Sequence, residues 1–339
     1  MSPLNPENWE DDAVSRTGAQ LRSLKNKRKS ARRSAPKSEH ALLDEIVLHG
    51  TVPDLGVGSV FSPTYTGSRI EREWILNYLG PFYDQDYITD VLTRVKGGKE
   101  ANVYCCAGRP DTGQELVAAK IYRPRMLRNL RNDARYRQSR VILDDSGKEV
   151  KDHGYLHAIA KGTEVGKNLL HTSWLEHEYT TLQTLYAAGV HVPRPLACGY
   201  NTILMAYIGE DGLAAPNLTQ VNLGRREAKT LFDRLLADLE KMLVCFRVHG
   251  DFSAYNVLYW DGEVYIIDLP QSVDPRRNTD AYDIFKRDVL RLCQYFGRYH
   301  IPSQPETLAR EMWQRYAYPE GPSAEDLEEA ASEAEEEEE

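Results

Sequence analysis

Three oxygen-bearing side chains in one stretch of the sequence carry the first chemical signal. In VHGDFSAYNVLYWDGEVYIIDLPQ (Val248 to Gln271), four residues separate Asp251 from Asn256. Asp268 follows on the far side of a tight turn at Asp261-Gly262, a favoured hairpin connection. Phosphoryl transfer needs such groups close together: a carboxylate to accept or orient the attacking hydroxyl, and an amide oxygen and a second carboxylate to hold Mg2+ on a triphosphate. The Asp-x4-Asn loop places base and ligand in one turn, and the hairpin returns Asp268 beside them. Hard oxygen ligands suit Mg2+, which uses few protein groups and keeps some of its waters. Asp and Asn also cap turns, but the whole pattern is far more specific than its parts.

Two further groups could serve the same chemistry. KGGKEANVYCCAG (Lys96 to Gly108) holds a glycine-containing turn, where backbone N–H groups can approach phosphate without a Cβ in the way. It matches neither G-x-G-x-x-G nor the Walker pattern. Lys120 lies on the next strand, flanked by Val117, Ala118, Ala119 and Ile121, and can reach phosphate as a point charge. In WLEHEYTTLQTLY, Leu175, Tyr179, Leu182 and Tyr186 form an apolar stripe at helical spacing. Glu178 borders that stripe and Glu176 does not, so Glu178 is placed to pair with Lys120.

These residues need a scaffold. The spacing predicts short helices over 69–79 and 86–95, then strands over 101–107 and 116–122 around Pro110-Asp111-Thr112-Gly113. Residues 123–172 are polar and weakly periodic and read as a long functional loop. A helix is expected from Trp174 to Ala188 with Gly189 as its cap, and a strand at 203–208. A helix grading into a strand is expected over 225–246, a hairpin over 257–267, a helix over 279–299, and a turn and helix over 302–318.

The chain of 339 residues has a net charge of −9, but the average misleads. Glu325 to Glu339 holds ten carboxylates, and without it the charge is +1. Residues 1–40 carry nine Lys/Arg against five Asp/Glu, most of the bases falling between Arg22 and Lys37. Both ends read as disordered, since neither can bury enough apolar surface to offset ordering. The cluster KNKRKSARR (Lys25 to Arg33) fits either a nucleic-acid patch or a solvated tail. Charged residues interrupt every apolar run before it could span a bilayer. The first residues lack a signal-peptide pattern. Five cysteines without CxxC spacing argue against structural zinc and a disulfide framework. The expectation is a cytoplasmic protein without membrane partners.

Over residues 85–300 the chain resembles the RIO-family atypical protein kinases. GGKEANVY (Gly97 to Tyr104) is similar to that family's phosphate loop, and VAAKIYRPR to its lysine strand. WLEHEYTTLQTLYAAGVHVPRPL (Trp174 to Leu196) resembles its helix C and following strand, and LMAYIGEDGLAAPNL (Leu204 to Leu218) its hinge. HGDFSAYNVL and IIDLPQSV resemble its catalytic and metal loops, and TDAYDIFKRDVLRLCQYF its closing helix. RNDARYRQSR (Arg131 to Arg140) is closer to bacterial-type members, and residues 1–84 lack the winged helix of one branch.

The resemblance implies an α+β, bilobal protein-kinase-like fold: an N-lobe antiparallel sheet with helix C over 85–208, including a flexible loop at 125–172, and a mainly helical C-lobe over 209–318. Residues 41–84 become an N-terminal extension and 319–339 an acidic tail. By position, Lys120 contacts the α/β-phosphates of ATP and Glu178 pairs with it. Lys99 and Glu100 lie over the phosphates. Asp251 is the catalytic aspartate. Asn256 and Asp268 hold Mg2+, and Asp268 is also associated with a phosphoaspartate intermediate, so ATPase turnover stands beside protein phosphorylation. Met205 is the gatekeeper, Ala206, Tyr207 and Ile208 the hinge, and Ala118, Leu258 and Ile267 sandwich the adenine. The expected activity is that of an ATP- and Mg2+-dependent serine/threonine kinase or ATPase, with ribosome or ribonucleoprotein assembly carried over from relatives. The alternative is a small-molecule phosphotransferase of the aminoglycoside or choline kinase type, which shares HGD-x4-N. A third reading is a nucleotide-sensing assembly factor that contacts RNA through residues 22–37. The protein acceptor is not given by the sequence.

Overall fold

Apolar runs rich in Val, Ile, Ala and Cys build the first half of the fold as a sheet. The computed structural model describes residues 61–98, 101–123, 142–143, 148–210 and 212–316. The strands are β1 (Ile88–Gly97), β2 (Ala101–Gly108), β3 (Leu116–Tyr122), β4 (Pro195–Gly199) and β5 (Thr202–Ala206). Their spatial order is β1-β2-β3-β5-β4, and every adjacent pair is antiparallel. Lys120 therefore sits on the central strand, opposite Val103 of β2 and Ile203 of β5.

Helix α1 (Arg69–Asp84) precedes the sheet, its N-terminus capped by the Ser68 hydroxyl, which accepts from the Glu71 N–H at 3.3 Å. Trp74, Ile75, Leu79 and Phe82 form its buried face. The segment before it straps the outer hairpin: the Tyr65 N–H donates to the Val91 carbonyl at 2.9 Å, and the Thr64 N–H to Asp90 Oδ1 at 2.7 Å. Glu71 Oε1 then accepts from the Tyr104 hydroxyl at 2.8 Å and from Arg94 at 3.2 Å, joining α1 to both strands.

Helices α2 (His153–Ala160) and α3 (Glu164–Ala187) follow. The Thr163 hydroxyl caps α3 by accepting from the Gly166 N–H at 3.2 Å. Gly166 is where α2 comes closest: a Cβ there would lie 2.3 Å from the Ala158 carbonyl oxygen. Gly189 ends the chain reversal after α3 at φ +70°, a conformation that costs a glycine little.

The second half is mainly helical. Two short hairpins, β6/β7 (Gly209–Glu210, Leu213–Ala214) and β8/β9 (Val257–Trp260, Glu263–Ile266), accompany α4 (Arg225–Val244), α5 (Ala281–Gly297) and α6 (Pro305–Tyr316). Leu231, Phe232, Leu235, Leu239, Met242 and Leu243 recur at helical spacing on α4 and are buried. They share one core with Phe285, Val289, Leu292 and Phe296 of α5, and the rings of Phe232 and Phe296 lie 5.4 Å apart.

Four expectations need correction. Residues 86–95 form most of β1 and no helix. Helix α3 starts ten residues before Trp174, so with α2 it takes up much of the segment read as loop. After Val244 no strand forms; Val248 makes an isolated bridge to Val273. The strand expected to reach residue 208 ends at Ala206. The basic and acidic ends, Lys99, Glu100 and most of 124–147 lie outside the described residues. No helix among the described residues is long and apolar enough to cross a membrane.

Candidate active site

Alternation on β3 turns Lys120 and Tyr122 to the same side of the sheet, toward α3. The Lys120 ammonium donates to Glu178 Oε1 and to Asp268 Oδ1, each at 2.7 Å. The Tyr122 hydroxyl donates to the other Glu178 oxygen. Residues far apart in sequence thus meet at one ammonium. Glu178 is nearly buried, whereas the Asp268 side chain is 45% exposed and so remains open to a ligand. Burial opposes the charge on Lys120, but the carboxylates of Asp268 and Glu178 prevail and hold the ammonium well above the usual lysine range. The Lys120 charge, working against burial, keeps the Asp268 carboxyl below its ordinary value. Burial and the Glu178 carboxylate raise the Tyr122 phenol well above its own.

Asp268 adopts φ +69°, a left-handed conformation that Asp tolerates better than most residues. Its loop is fixed from two sides. The Ile267 N–H donates to the Asn256 carbonyl at 2.9 Å. Buried His249 accepts the Asp251 N–H at Nδ1 (3.2 Å) and contacts the Ile267 carbonyl through Nε2 (3.2 Å). With Nδ1 accepting and Nε2 donating, the imidazole satisfies both contacts and joins the Asp251 loop to the segment bearing Asp268.

Asp251 and Asn256 meet within their own loop. Asn256 Nδ2 donates to the Asp251 carbonyl at 3.0 Å and to its Oδ2 at 3.2 Å. With the amide nitrogen so engaged, the amide oxygen is the end left to a cation. From α5, Arg291 Nη1 donates to Asp251 Oδ1 at 2.7 Å. Fully buried Asp288 accepts the Gly250 N–H at 2.8 Å and the Phe252 N–H at 3.1 Å, and Arg287 donates to the Gly250 carbonyl. Helix α5 therefore holds the loop on both sides of Asp251. Gly250 is required here: φ is +85°, and a Cβ would lie 2.3 Å from the Gln271 carbonyl oxygen.

On the sheet side, Ala118 is buried and stands opposite Met205. The Tyr207 N–H donates to the Leu116 carbonyl at 3.3 Å, and the Ile208 carbonyl accepts from the Ala215 N–H at 3.0 Å. Leu258 lies on β8 opposite Tyr265 and also bridges to Asn217, and Ile267 lies between Asn256 and Asp268 through the bond already described. Of the site residues expected from sequence, Lys120, Glu178 and Asp268 are in direct contact, as are Asp251 and Asn256. Sequence reasoning missed Tyr122, His249, Arg287, Asp288 and Arg291. Tyr122 was recoverable, since it alternates with Lys120; nothing in the sequence marks which face of α5 meets the loop.

A five-stranded antiparallel sheet whose central lysine pairs with a helix carboxylate, followed by a helical half that carries an Asp-x4-Asn loop and a returning hairpin, defines a bilobal protein-kinase-like fold. Comparison with known proteins agrees: the RIO domain model matches residues 102–308. "Serine/threonine-protein kinase RIO1" of Chaetomium thermophilum is 30% identical over 238 residues, covering 67% of this chain and 42% of that protein. The protein of the same name from Homo sapiens is 29% identical over 216 residues, 63% of this chain and 34% of its own length. "RIO-type serine/threonine-protein kinase Rio1" of Thermoplasma acidophilum is 30% identical over 144 residues, 42% of this chain and 74% of its own. The chain belongs to the RIO domain family. It spans less than half the length of the fungal and human relatives.

Proposed function

We propose that this chain is an ATP- and Mg2+-dependent serine/threonine protein kinase of the RIO type, with ATP hydrolysis as a competing outcome. The observation that carries the reading is the ammonium of Lys120 between Glu178 and Asp268. Glu178 fixes the lysine so that it can contact the α/β-phosphates. The donor set suits a hard cation: an ionised, half-exposed Asp268 carboxylate and the Asn256 amide oxygen. When bound, Mg2+ supplies charge neutralisation on the transferring phosphoryl group.

The remaining roles belong to the chain's own groups. Asp251 orients the acceptor hydroxyl and takes its proton as the acceptor oxygen bonds to the γ-phosphorus and the bond to the ADP oxygen breaks. Asp288 and Arg287 hold the Asp251 loop in place, and His249 keeps it in register with Asp268. Ala118, Met205, Tyr207, Ile208, Leu258 and Ile267 are assigned to the adenine, and Lys99 and Glu100 to the phosphates. The relatives' printed names support the protein-kinase reading over a small-molecule phosphotransferase. The basic arm at residues 22–37 is assigned to RNA or a ribosomal particle, a role checked by deleting residues 1–40 and following RNA affinity against salt.

The deciding experiment measures Mg2+-dependent ATPase and autophosphorylation in wild type, Asp268→Ala and Asp251→Asn. Asp268→Ala is expected to lose both activities. Asp251→Asn is expected to keep nucleotide binding while transfer falls by about 10²- to 10⁴-fold, the usual contribution of a positioned acid–base group. Near-normal transfer in Asp251→Asn would remove its assigned role.

A further inference from the structure

The acceptor side of the cleft has a chemistry of its own. Both oxygens of Asp251 are engaged, Oδ1 by Arg291 at 2.7 Å and Oδ2 by Asn256 at 3.2 Å. An acceptor hydroxyl must therefore compete for this carboxylate. Arg291 is only part-buried and lies one turn along α5 from Arg287, which reaches the Gly250 carbonyl. Between them Leu290 is exposed. The turn Ala254–Asn256 packs on α5, and within it the Tyr255 side chain is 65% exposed. Lys286 adds a further cation to this helix, 3.3 Å from Asp283. The other carboxylate of α5, Asp288, is fully buried beneath the loop and offers solvent nothing. The Asp251 carboxylate thus meets one half-exposed guanidinium directly, with a second one turn away on α5, an exposed tyrosine in its own loop and an exposed leucine next to Arg291 in sequence.

We propose that this surface receives an acidic acceptor segment, a Ser or Thr flanked by carboxylates, and that one of those carboxylates draws Arg291 off Asp251. The inference rests on the kinase reading and names its acceptor class. The argument is charge complementarity combined with exchange. An acidic neighbour replaces one carboxylate partner of Arg291 by another, so the guanidinium is never left unpaired and Oδ1 becomes available to the hydroxyl. A neutral acceptor must break the same ion pair with nothing to replace it. The exposed Tyr255 and Leu290 offer contact area nearby in the chain. Nothing on the nucleotide side, where Lys120 serves, needs Arg291.

The test is peptide binding to the full chain, followed by fluorescence anisotropy. Three labelled peptides place a central Ser among Glu, Gln or Lys residues. Wild type is expected to bind the Glu peptide about tenfold or more tightly than the Gln peptide, a typical scale for a close charge pair at an interface. Arg291→Gln should erase that preference, Arg291→Lys should keep part of it, and Arg298→Gln, at the far end of α5, should leave it intact. Thermal melts confirm that each variant is folded. Because binding needs no turnover, Arg291-dependent uptake of the Glu peptide without phosphate transfer would sink the kinase reading and leave the docking surface standing. Equal binding of the Glu and Gln peptides, or a preference that survives in folded Arg291→Gln, overturns the proposal. So does Arg291-dependent uptake of oligouridylate without uptake of the Glu peptide, which would make the surface one for nucleic acid.

Discussion

Replacing Asp288 by alanine tests how α5 holds the Asp251 loop. The side chain is fully buried and accepts two backbone N–H groups, from Gly250 at 2.8 Å and Phe252 at 3.1 Å, which bracket Asp251. Alanine leaves two buried donors without an acceptor, each costing about 1–3 kcal/mol. One gain offsets this. Burial holds the Asp288 carboxyl above the usual carboxylate range, against the pull of the two N–H donors, so alanine also removes a costly buried charge. The lower half of the range then applies, a net loss of about 2–4 kcal/mol. For a domain of this size each kcal/mol shifts the melting temperature by about 2–4 °C, so Asp288→Ala should melt roughly 4–16 °C below wild type. Asp288→Asn should fall between, because its amide oxygen can accept from one N–H while its NH2 group faces the other. The assay is a circular-dichroism melt on the full chain, paired with Mg2+-dependent ATP turnover. Turnover should fall further than nucleotide affinity, since Asp288 bonds to the backbone on either side of Asp251 and reaches Asp268 only through that loop. A melt within about 1 °C of wild type, together with unchanged turnover, would refute the reasoning.

Two other perturbations have expected outcomes. Gly250→Ala should abolish turnover, because the left-handed backbone and a Cβ 2.3 Å from the Gln271 carbonyl force the loop to move; a rate near wild type would mean that the loop tolerates displacement. Lys120→Met should flatten the acid limb of melting temperature against pH: the native Asp268 carboxyl titrates below its unfolded value, so the stability it contributes is present above about pH 4 and is lost as pH falls through the native value. An acid limb as steep in Lys120→Met as in wild type would show that this pairing is not its source.

The geometry of the candidate site was legible where it is local. Asp251, Asn256 and Asp268 lie within one loop and one hairpin, so spacing alone brings them together. Glu178 could be placed because the stripe of Leu175, Tyr179 and Leu182 sets the orientation of its helix. The same kind of reasoning failed at β1 for a physical reason. The strand shifts register between Ile88 and Asp90, between Val91 and Thr93, and between Arg94 and Lys96. Those irregularities bury Ile88 and Val91 at a spacing of three, which imitates helical periodicity. Helix α3 looked short because its first ten residues are mostly polar and include Gly166, whose missing side chain serves the approach of α2. Arg291 and Asp288 were out of reach, since their roles depend on how α5 lies against a loop more than thirty residues earlier.

The strap formed by residues 61–84 bears on where this domain physically starts. The family match opens at residue 102, inside β2. A fragment trimmed to that boundary would discard β1, the Tyr65–Val91 bond and the Glu71 carboxylate that receives the Tyr104 hydroxyl. It would take away the carboxylate to which the buried Tyr104 hydroxyl donates, and it would strip the outer side of β2 to bare amides and carbonyls, a template for intermolecular strand pairing. Shortened clones beginning there should be sticky, and soluble ones should begin ahead of Phe61.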